Sequence, residues 1–273
     1  MTSLRSSLLI LTAICIAAPV RAQDSAQTSS DALIVVSPPA TALPIRLEER
    51  PVSARLLIPN VLQDQKRVWL LPAELSKGNH AKPALGAFLL TAGMVALDPH
   101  DTPYFARADK FTDVNRAFSS RKTSAAMVLF PASFYVVGLA RKDRYAKNTA
   151  LLAGQAYLDS QIVTVALKAV TRRVRPRDIP LDGDYTHTWY KSDGAVLSGQ
   201  HSFPSGHAVV AFSVATVFAQ RYRRRRWVPW VAYGLAGAVA FSRVTTRSHF
   251  PSDAVAGSIL GYTLGRYVVL RQP

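Results

Sequence analysis

Six apolar runs separated by polar joints occupy most of the chain after residue 82. They are rich in Ala, Leu and Gly and lack the apolar/polar alternation of half-buried strands, so they predict helices. The runs cover residues 83–97, 124–140, 149–170, 208–219, 227–241 and 252–270. Lengths of about 12 to 22 residues lie between those of a buried core helix and a membrane span. We therefore expect an all-α, six-helix bundle that is embedded in a membrane.

The last run carries Gly257, Gly261 and Gly265 at four-residue spacing. Residues four apart share one face of a helix. A stripe of such small residues lets a neighbouring helix approach closely, in lipid or in a tightly packed bundle.

The first 22 residues predict a secretory signal peptide. Arg5 precedes an apolar run, residues 8–18, that is short for a membrane span, and small residues at positions 20 and 22 are followed by polar Gln23. An uncleaved anchor is the alternative. Cys15, the single cysteine, lies in this run, so the mature chain is expected to have no disulfide and no thiol chemistry.

Residues 23–82 are rich in Ser, Thr, Pro and Ala and show no sustained periodicity. We interpret them as a flexible, irregular exported extension. Within it, residues 68–72 form an aromatic and apolar segment that could dock on the core or lie at a membrane interface. The predicted functional domain is 83–273.

Basic residues outnumber acidic ones, 33 to 17, for a net charge of +16, while 49% of the residues are hydrophobic. The charge indicates an anionic partner, and the apolar content excludes a disordered chain. Basic clusters at 141–147 and 221–226 would lie on one side of a membrane if the runs between them span. The positive-inside rule makes that side cytoplasmic. A solvated basic face on a soluble bundle is the alternative.

A first polar cluster consists of Lys168, Arg175 and Pro176. The spacing of seven would place Lys168 and Arg175 on one face of a helix that Pro176 ends. Two fixed cations at a helix end suit a phosphate-like dianion. The arginines at 172, 173 and 177 either tune the local field or are solvated.

A second cluster, Pro204-Ser205-Gly206-His207, opens the fourth run. Free backbone amides at a helix N-terminus form an anion site. Gly206 permits close approach of the backbone, Ser205 adds a hydroxyl donor, and His207 can transfer a proton near neutral pH.

The third cluster contains Ser242, Arg243, His249 and Asp253. Pro251 fits the first position of a helix, which would bring Asp253 within reach of the His249 ring. A carboxylate bonded to one ring nitrogen leaves the other as a nucleophile. Arg243 adds a third cation. Two helices, one running out and one back, separate this cluster from the second, so all three clusters are expected at one end of the bundle.

In chain order, the clusters contain every fixed position of KxxxxxxRP, PSGH and SRxxxxxHxxxD. They resemble the three-part signature of the type 2 phosphatidic acid phosphatase (PAP2) superfamily, which is shared with bacterial non-specific acid phosphatases and vanadium haloperoxidases. The resemblance covers roughly residues 83–270 in helix layout and is specific over 168–253. The extension before residue 83 lies outside it.

The resemblance implies a role for each residue. His249 would attack phosphorus to form a phosphohistidine, Asp253 would orient His249, and His207 would protonate the leaving oxygen and then activate water. The phosphoryl oxygens would be held by Lys168, Arg175, Ser205, Gly206 and Arg243. No metal and no other cofactor is implied.

The expected function is a metal-independent phosphatase that acts outside the cytoplasm on phosphomonoesters or pyrophosphates. If the core lies in a membrane, lipid substrates such as phosphatidic acid, phosphatidylglycerol phosphate or an isoprenyl pyrophosphate are expected. A soluble periplasmic acid phosphatase and a vanadium-dependent haloperoxidase are alternatives. A non-catalytic basic protein that binds membranes or nucleic acid would leave the register of His207, His249 and Asp253 unexplained, and nucleic acid is not expected as a partner.

Topology constrains the number of spans. A cleaved signal leaves the mature N-terminus outside, and six spans would then place the first cluster in the cytoplasm, against the positive-inside rule. Residues 83–97 are short and are followed by Asp98, so we expect this run not to span. Five spans would remain, with the three clusters facing the periplasm.

Overall fold

Eight α-helices account for most of the computed structural model, which describes residues 50–271 except 79–80, 108 and 196–198. The helices are α1 (Leu57–Ser76), α2 (Ala81–Ala106), α3 (Thr112–Ala117), α4 (Ser120–Ala140), α5 (Arg144–Thr171), α6 (Gly206–Arg221), α7 (Trp227–Thr245) and α8 (Pro251–Thr263). A π-helical turn, Leu264–Val269, continues α8. No strand occurs in these described ranges. The predicted all-α class is confirmed, whereas the signal peptide and residues 23–49 lie outside the described residues.

Five of the six predicted runs each lie within one helix, and the sixth, 252–270, covers most of α8 and the π-helical turn. Helices α1 and α3 are additional. Helix α1 covers residues 57–76, which belong to the extension that the sequence predicts to be irregular. Two of its polar residues are buried against α5: the Gln65 amide donates to Asp159 at 2.9 Å, and the Gln155 amide donates to Asp64. These inward-facing polar side chains interrupt the apolar periodicity that would have predicted a helix. The facing residues of α5 help to make their burial favourable.

Helix α6 lies at the centre of the bundle and packs against α4, α5, α7 and α8. Its contact with α8 is close because the glycine stripe of α8 and the π-helical turn faces the backbone of α6. A Cβ built on Gly257 would lie 2.7 Å from the Ser205 carbonyl oxygen, and one on Gly265 would lie 2.7 Å from the Ser213 oxygen. The expected close approach is therefore present.

The prediction that the first run ends before Asp98 was wrong. Helix α2 extends over 26 residues and continues through Pro99 and Pro103. Asp98, read as a polar boundary, is fully buried and accepts hydrogen bonds from Ser252 at the start of α8. This anchoring supports the helix across a segment that two prolines would otherwise weaken.

The two basic joints meet at one end of the bundle. Arg221, the last residue of α6, places its guanidinium 4.0 Å from the centre of the Tyr145 ring and donates to Thr149 at 2.7 Å. The residues of these joints, 141–147 and 221–226, thus form a single basic end.

Three of the described helices, α2, α4 and α5, are long and apolar enough to cross a membrane. The expectation that the run 83–97 is too short to span is therefore not met by α2. Helices α4 and α5 contain two of the five expected spans, 124–140 and 149–170. Most of the apolar stretch of α2 is exposed, including Phe88 and Leu89. Trp230 on α7 is 82% exposed. An apolar surface of this kind is typical of a lipid-facing helix.

Candidate active site

A cavity of about 310 Å³ opens at the end of the bundle opposite the basic end, where α5 and α7 finish and α4 and α6 begin. Six of the eight predicted site residues line it, namely Lys168, Arg175, Gly206, His207, Arg243 and His249. The other two, Ser205 and Asp253, are fully buried and do not line the cavity. The structure therefore brings residues from all three sequence clusters around one space.

Lys168 and Arg175 reach the cavity by different routes. Helix α5 ends at Thr171, and Arg172 adopts a left-handed conformation with φ of 43°. Arg175 then lies in extended backbone, so the two cations do not share a helical face as their spacing predicted. Both approach the carbonyl oxygen of Gly199, the Lys168 ammonium at 2.9 Å and the Arg175 guanidinium at 3.4 Å. The two charges lie close together because both side chains donate to the Gly199 carbonyl oxygen, although they do not belong to one helix.

The PSGH segment begins α6, with Ser205 as the N-cap residue and His207 in the first turn. The His207 Nε2 lies 3.1 Å from the Ser124 hydroxyl and 3.5 Å from the Ser120 carbonyl oxygen. The Ser205 hydroxyl is buried and makes no hydrogen bond within the described part of the chain. His207 therefore faces the cavity from the start of a helix, where exposed amides favour an anion.

Arg243 is held by the segment that leads into α4. Its guanidinium donates to the Phe118 carbonyl oxygen and to the Ser120 hydroxyl. The side chain is 1% exposed, yet it contributes to the cavity wall. These contacts fix the orientation of the third cation, and they involve residues that the sequence motifs do not include.

His249 lies just before α8, which begins at Pro251 as expected. Its Nδ1 faces Asp253 Oδ2 at 3.6 Å, beyond hydrogen-bond distance, and makes no hydrogen bond within the described residues. The same carboxylate oxygen accepts from the Phe250 amide at 2.9 Å. Burial lowers the pKa of His249 to about 4, so the imidazole is neutral at pH 7. A neutral imidazole whose Nδ1 faces a carboxylate leaves Nε2 as an available nucleophile.

Asp253 itself is bound by residues that sequence reasoning missed. Its Oδ1 accepts from Arg173 at 2.7 Å, and Arg173 also pairs with Asp98 at 2.6 Å. From the sequence, Arg173 was expected either to tune the electric field of the site or to be solvated. It is 1% exposed, so it is not solvated. Of its two neighbours in the motif region, Arg177 lies on the surface and Arg172 donates to the Ser192 carbonyl oxygen.

Two serines of α4, Ser120 and Ser124, also line the cavity and were not predicted. They lie one helical turn apart on a helix that the motifs do not cover. Ordinary serines at a helix start carry no sequence signal that distinguishes them from capping residues.

Chemically, the cavity combines two histidines with three cationic side chains. Such an arrangement can bind a tetrahedral oxyanion, attack it with one imidazole and transfer a proton with the other. Within the described residues, no group of three or more His, Cys, Asp or Glu side chains is placed to hold a metal ion. The metal-free chemistry stays a prediction.

Comparison with protein families gives a match over the C-terminal part of the chain: residues 149–273 fit the family described as the PAP2 superfamily. All three sequence clusters lie within this range. Asp98 and the two serines of α4 precede it.

Three curated proteins show similarity to parts of the chain. It is 32% identical over 84 residues to the lipid A 1-phosphatase of Porphyromonas gingivalis, covering 30% of this chain and 18% of that protein. It is 30% identical over 108 residues to the lipid A 4'-phosphatase of the same organism, covering 40% and 44%. It is 33% identical over 73 residues to the bacitracin transport permease protein BcrC of Bacillus licheniformis, covering 27% and 34%. The chain thus spans less than half the length of each relative.

Among solved structures, a transmembrane PAP2-type phosphatidylglycerolphosphate phosphatase from Bacillus subtilis is similar. The match covers 67% of this chain and 92% of that one, with 20% sequence identity and a TM-score of 0.43.

Proposed function

We propose that this chain, whose residues 149–273 match the PAP2 superfamily, belongs to that superfamily and is a phosphatase that hydrolyses phosphorylated lipids through a phosphohistidine. The observation that carries the proposal is the convergence of His249, His207 and three cations on one cavity. Binding an anion requires the cations, but it does not require a neutral imidazole that faces a carboxylate and lies beside a second histidine.

The reaction proceeds in two displacements. In the first, His249 Nε2 forms a bond to phosphorus while the bond from phosphorus to the ester oxygen breaks, and His207 donates a proton to that oxygen. Burial lowers the pKa of His207 to about 4, so the negative charge of the bound phosphoryl group is needed to keep this imidazole protonated. In the second, His207 removes a proton from water, the water oxygen bonds to phosphorus, and the bond to His249 breaks to release inorganic phosphate. Asp253 stabilises the positive charge that His249 carries between the two steps.

The phosphoryl oxygens lie against cations in both steps. Lys168, Arg175 and Arg243 stabilise the negative charge that spreads over these oxygens in the transition state. The Gly206 amide, at the start of α6, adds a backbone donor. Ser205 is the N-cap residue of this helix, and its hydroxyl is buried without a capping hydrogen bond among the described residues.

Three observations favour lipid substrates. The cavity continues from the charged residues to an apolar wall formed by Met127, Tyr157, Val165 and Val210 on α4, α5 and α6. The outer surfaces of α2 and α4 are apolar and exposed, as expected for helices in a bilayer. Two of the similar proteins are named as phosphatases of lipid A, a phosphorylated lipid. Phosphatidic acid, phosphatidylglycerol phosphate and isoprenyl pyrophosphate present the same chemistry, a phosphoryl group on an apolar chain.

Orientation follows from the charges at the two ends. The basic end contains Arg223, Arg224 and Arg226, all exposed, and the cavity lies at the opposite end. The positive-inside rule assigns the basic end to the cytoplasm. We therefore place the active site on the periplasmic side of the inner membrane of a bacterial-type cell.

A phosphate-release panel tests the proposed activity. The purified chain is presented in matched detergent micelles with lipid A, phosphatidic acid, phosphatidylglycerol phosphate and an isoprenyl pyrophosphate, and with p-nitrophenyl phosphate as a soluble monoester. We expect at least one lipid to be hydrolysed with a kcat/KM about 100-fold above that of the soluble ester, because the apolar wall adds binding energy. Equal rates would favour the soluble acid phosphatase, and release from none of the substrates would contradict a phosphatase.

Thiol labelling tests the orientation. Starting from a Cys15→Ser chain, single cysteines replace Asp193, an exposed residue of the loop at the site end, and Arg224, at the basic end. A membrane-impermeant maleimide added to intact spheroplasts is expected to label the Asp193→Cys chain and to label Arg224→Cys after lysis only. The reverse pattern would place the site in the cytoplasm, and labelling of both in intact spheroplasts would contradict a spanning bundle.

A further inference from the structure

Arg173 connects two carboxylates that come from opposite parts of the sequence. Its Nη1 donates to Asp253 Oδ1 at 2.7 Å and its Nη2 donates to Asp98 Oδ2 at 2.6 Å. All three side chains are at most 1% exposed. The Arg173 Nε donates to Thr188 at 3.0 Å, and Nη1 also donates to Ser252 at 2.8 Å. Every nitrogen of the guanidinium is therefore engaged.

The surroundings hold this guanidinium in place. Its central carbon lies 3.9 Å from the centre of the Phe250 ring and 4.5 Å from that of Trp189. Asp98 is equally constrained, because the Ser252 amide donates to its Oδ1 at 3.1 Å and the Ser252 hydroxyl to its Oδ2. A buried charge network of this kind has one arrangement in which every member is satisfied.

The two oxygens of Asp253 have separate partners. Oδ1 faces Arg173, whereas Oδ2 faces His249 Nδ1 at 3.6 Å and also accepts from the Ser202 hydroxyl. The carboxylate therefore binds Arg173 through Oδ1 and faces His249 with Oδ2. The bond from Arg173 to Oδ1, together with the Phe250 amide and the Ser202 hydroxyl that donate to Oδ2, fixes the plane of the carboxylate that faces His249.

The charges of the network also matter. With both carboxylates ionised, the two aspartates and Arg173 have a net charge of −1, and this charge would stabilise His249 when it becomes positive in the phosphorylated state. Without Asp98, Arg173 would neutralise Asp253 alone, and the carboxylate would stabilise a positive His249 less.

We propose that Asp98 and Arg173 are positioning residues: Arg173 keeps Asp253 ionised, and Asp98 holds Arg173 in the place from which it aims Asp253 at His249. This inference rests on the proposed function. It adds to the site a residue of α2, a helix that lies outside the family match of 149–273. Neither residue lines the cavity, so each acts through Asp253.

A double-mutant cycle tests the inference. The variants are Asp98→Asn, Asp253→Asn and the double variant, with single-turnover rates measured on the best substrate of the panel. We expect Asp98→Asn to lower kcat about 10- to 100-fold with KM within about threefold, and Asp253→Asn to lower kcat about 1,000-fold or more. Because Asp98 acts through Asp253, the double variant is expected to match Asp253→Asn within about twofold.

Asp64→Asn is the matched control. Asp64 is also a fully buried carboxylate on a helix before the family match, but it bonds to Gln155 of α5 instead of the network. The kcat of the Asp64→Asn variant is expected to remain within about twofold of wild type. Thermal unfolding in detergent reports the folded fraction of every variant. Arg173→Lys, which keeps the charge but cannot bridge both carboxylates, is expected to behave like Asp98→Asn.

Three results would overturn the inference. The first is a normal kcat for Asp98→Asn. The second is an equal further loss in the Asp253→Asn background, which would show that Asp98 does not act through Asp253. The third is a loss that follows the folded fraction in both Asp98→Asn and Asp64→Asn, which would indicate a structural role alone. If the wild-type chain is active and Asp98→Asn has the same kcat, this inference alone is overturned. If the wild-type chain is inactive, the proposed function is overturned together with it.

Discussion

Replacing His249 with alanine is expected to reduce phosphate release at least about a thousandfold. The alanine variant has no nitrogen to attack phosphorus, so the two-step route is closed and a direct attack of water is all that remains. The three cations stay in place and still bind the substrate, so KM is expected to change little. The measurement is release of inorganic phosphate under single-turnover conditions.

The intermediate provides a second readout of the same change. Wild-type chain incubated with a substrate carrying labelled phosphate and quenched in alkali is expected to retain label, because phosphohistidine is stable in base and labile in acid. His249→Ala is expected to retain none. His187→Ala is the matched control, since His187 lies exposed in the loop before the second cluster and should leave rate and label unchanged. Undiminished release and labelling in His249→Ala would rule out His249 as the nucleophile.

A single methyl group at Gly261 is expected to disrupt the packing of α8 on α6. A Cβ at this position would overlap the Val209 carbonyl oxygen and lie 3.0 Å from the Phe212 Cβ. The first of these is a backbone atom of α6, so the helices themselves must separate. Alanine normally stabilises a helix relative to glycine by about 1 kcal/mol. The overlap outweighs this gain, and we expect Gly261→Ala to destabilise the chain by about 1 to 3 kcal/mol.

Thermal unfolding in detergent measures this effect, with Gly237→Ala as the control. Gly237 lies in α7, and a Cβ there meets nothing within 4 Å, so alanine is expected to be neutral or stabilising. Separation of α6 from α8 also moves His207 relative to Asp253, and Gly261→Ala is expected to lower kcat in the fraction that folds. Equal stability of the two variants would contradict direct backbone contact between the helices.

The location of the site followed from local patterns. Apolar runs of helical length predicted the helices, and the order of the motifs placed Lys168, His207 and His249 at helix ends. The parity of the helices then predicted that these ends meet, and the structure places them around one cavity. Such inferences succeed because helix formation and the direction of each helix depend on residues close together in the chain.

Other features depended on distant residues and were predicted wrongly or not at all. Helix α1 carries buried polar residues whose hydrogen-bond partners lie on α5. Its own sequence therefore resembles an irregular segment. Helix α2 continues beyond Asp98 because that carboxylate is anchored at α8. Lys168 and Arg175 were expected on one helical face, yet Arg175 arrives from extended backbone. In each case a tertiary contact outweighed the local signal.

The all-α class and the chemical groups at the helix ends could be predicted from the sequence, because both depend on runs and spacings of a few residues. The tertiary structure alone decided which polar residues outside the motifs support them. Asp98 and Arg173 are 75 positions apart, and their pairing depends on how α2 packs beside α8. A buried carboxylate is stable only beside a partner charge, and no local pattern reveals which distant residue provides it.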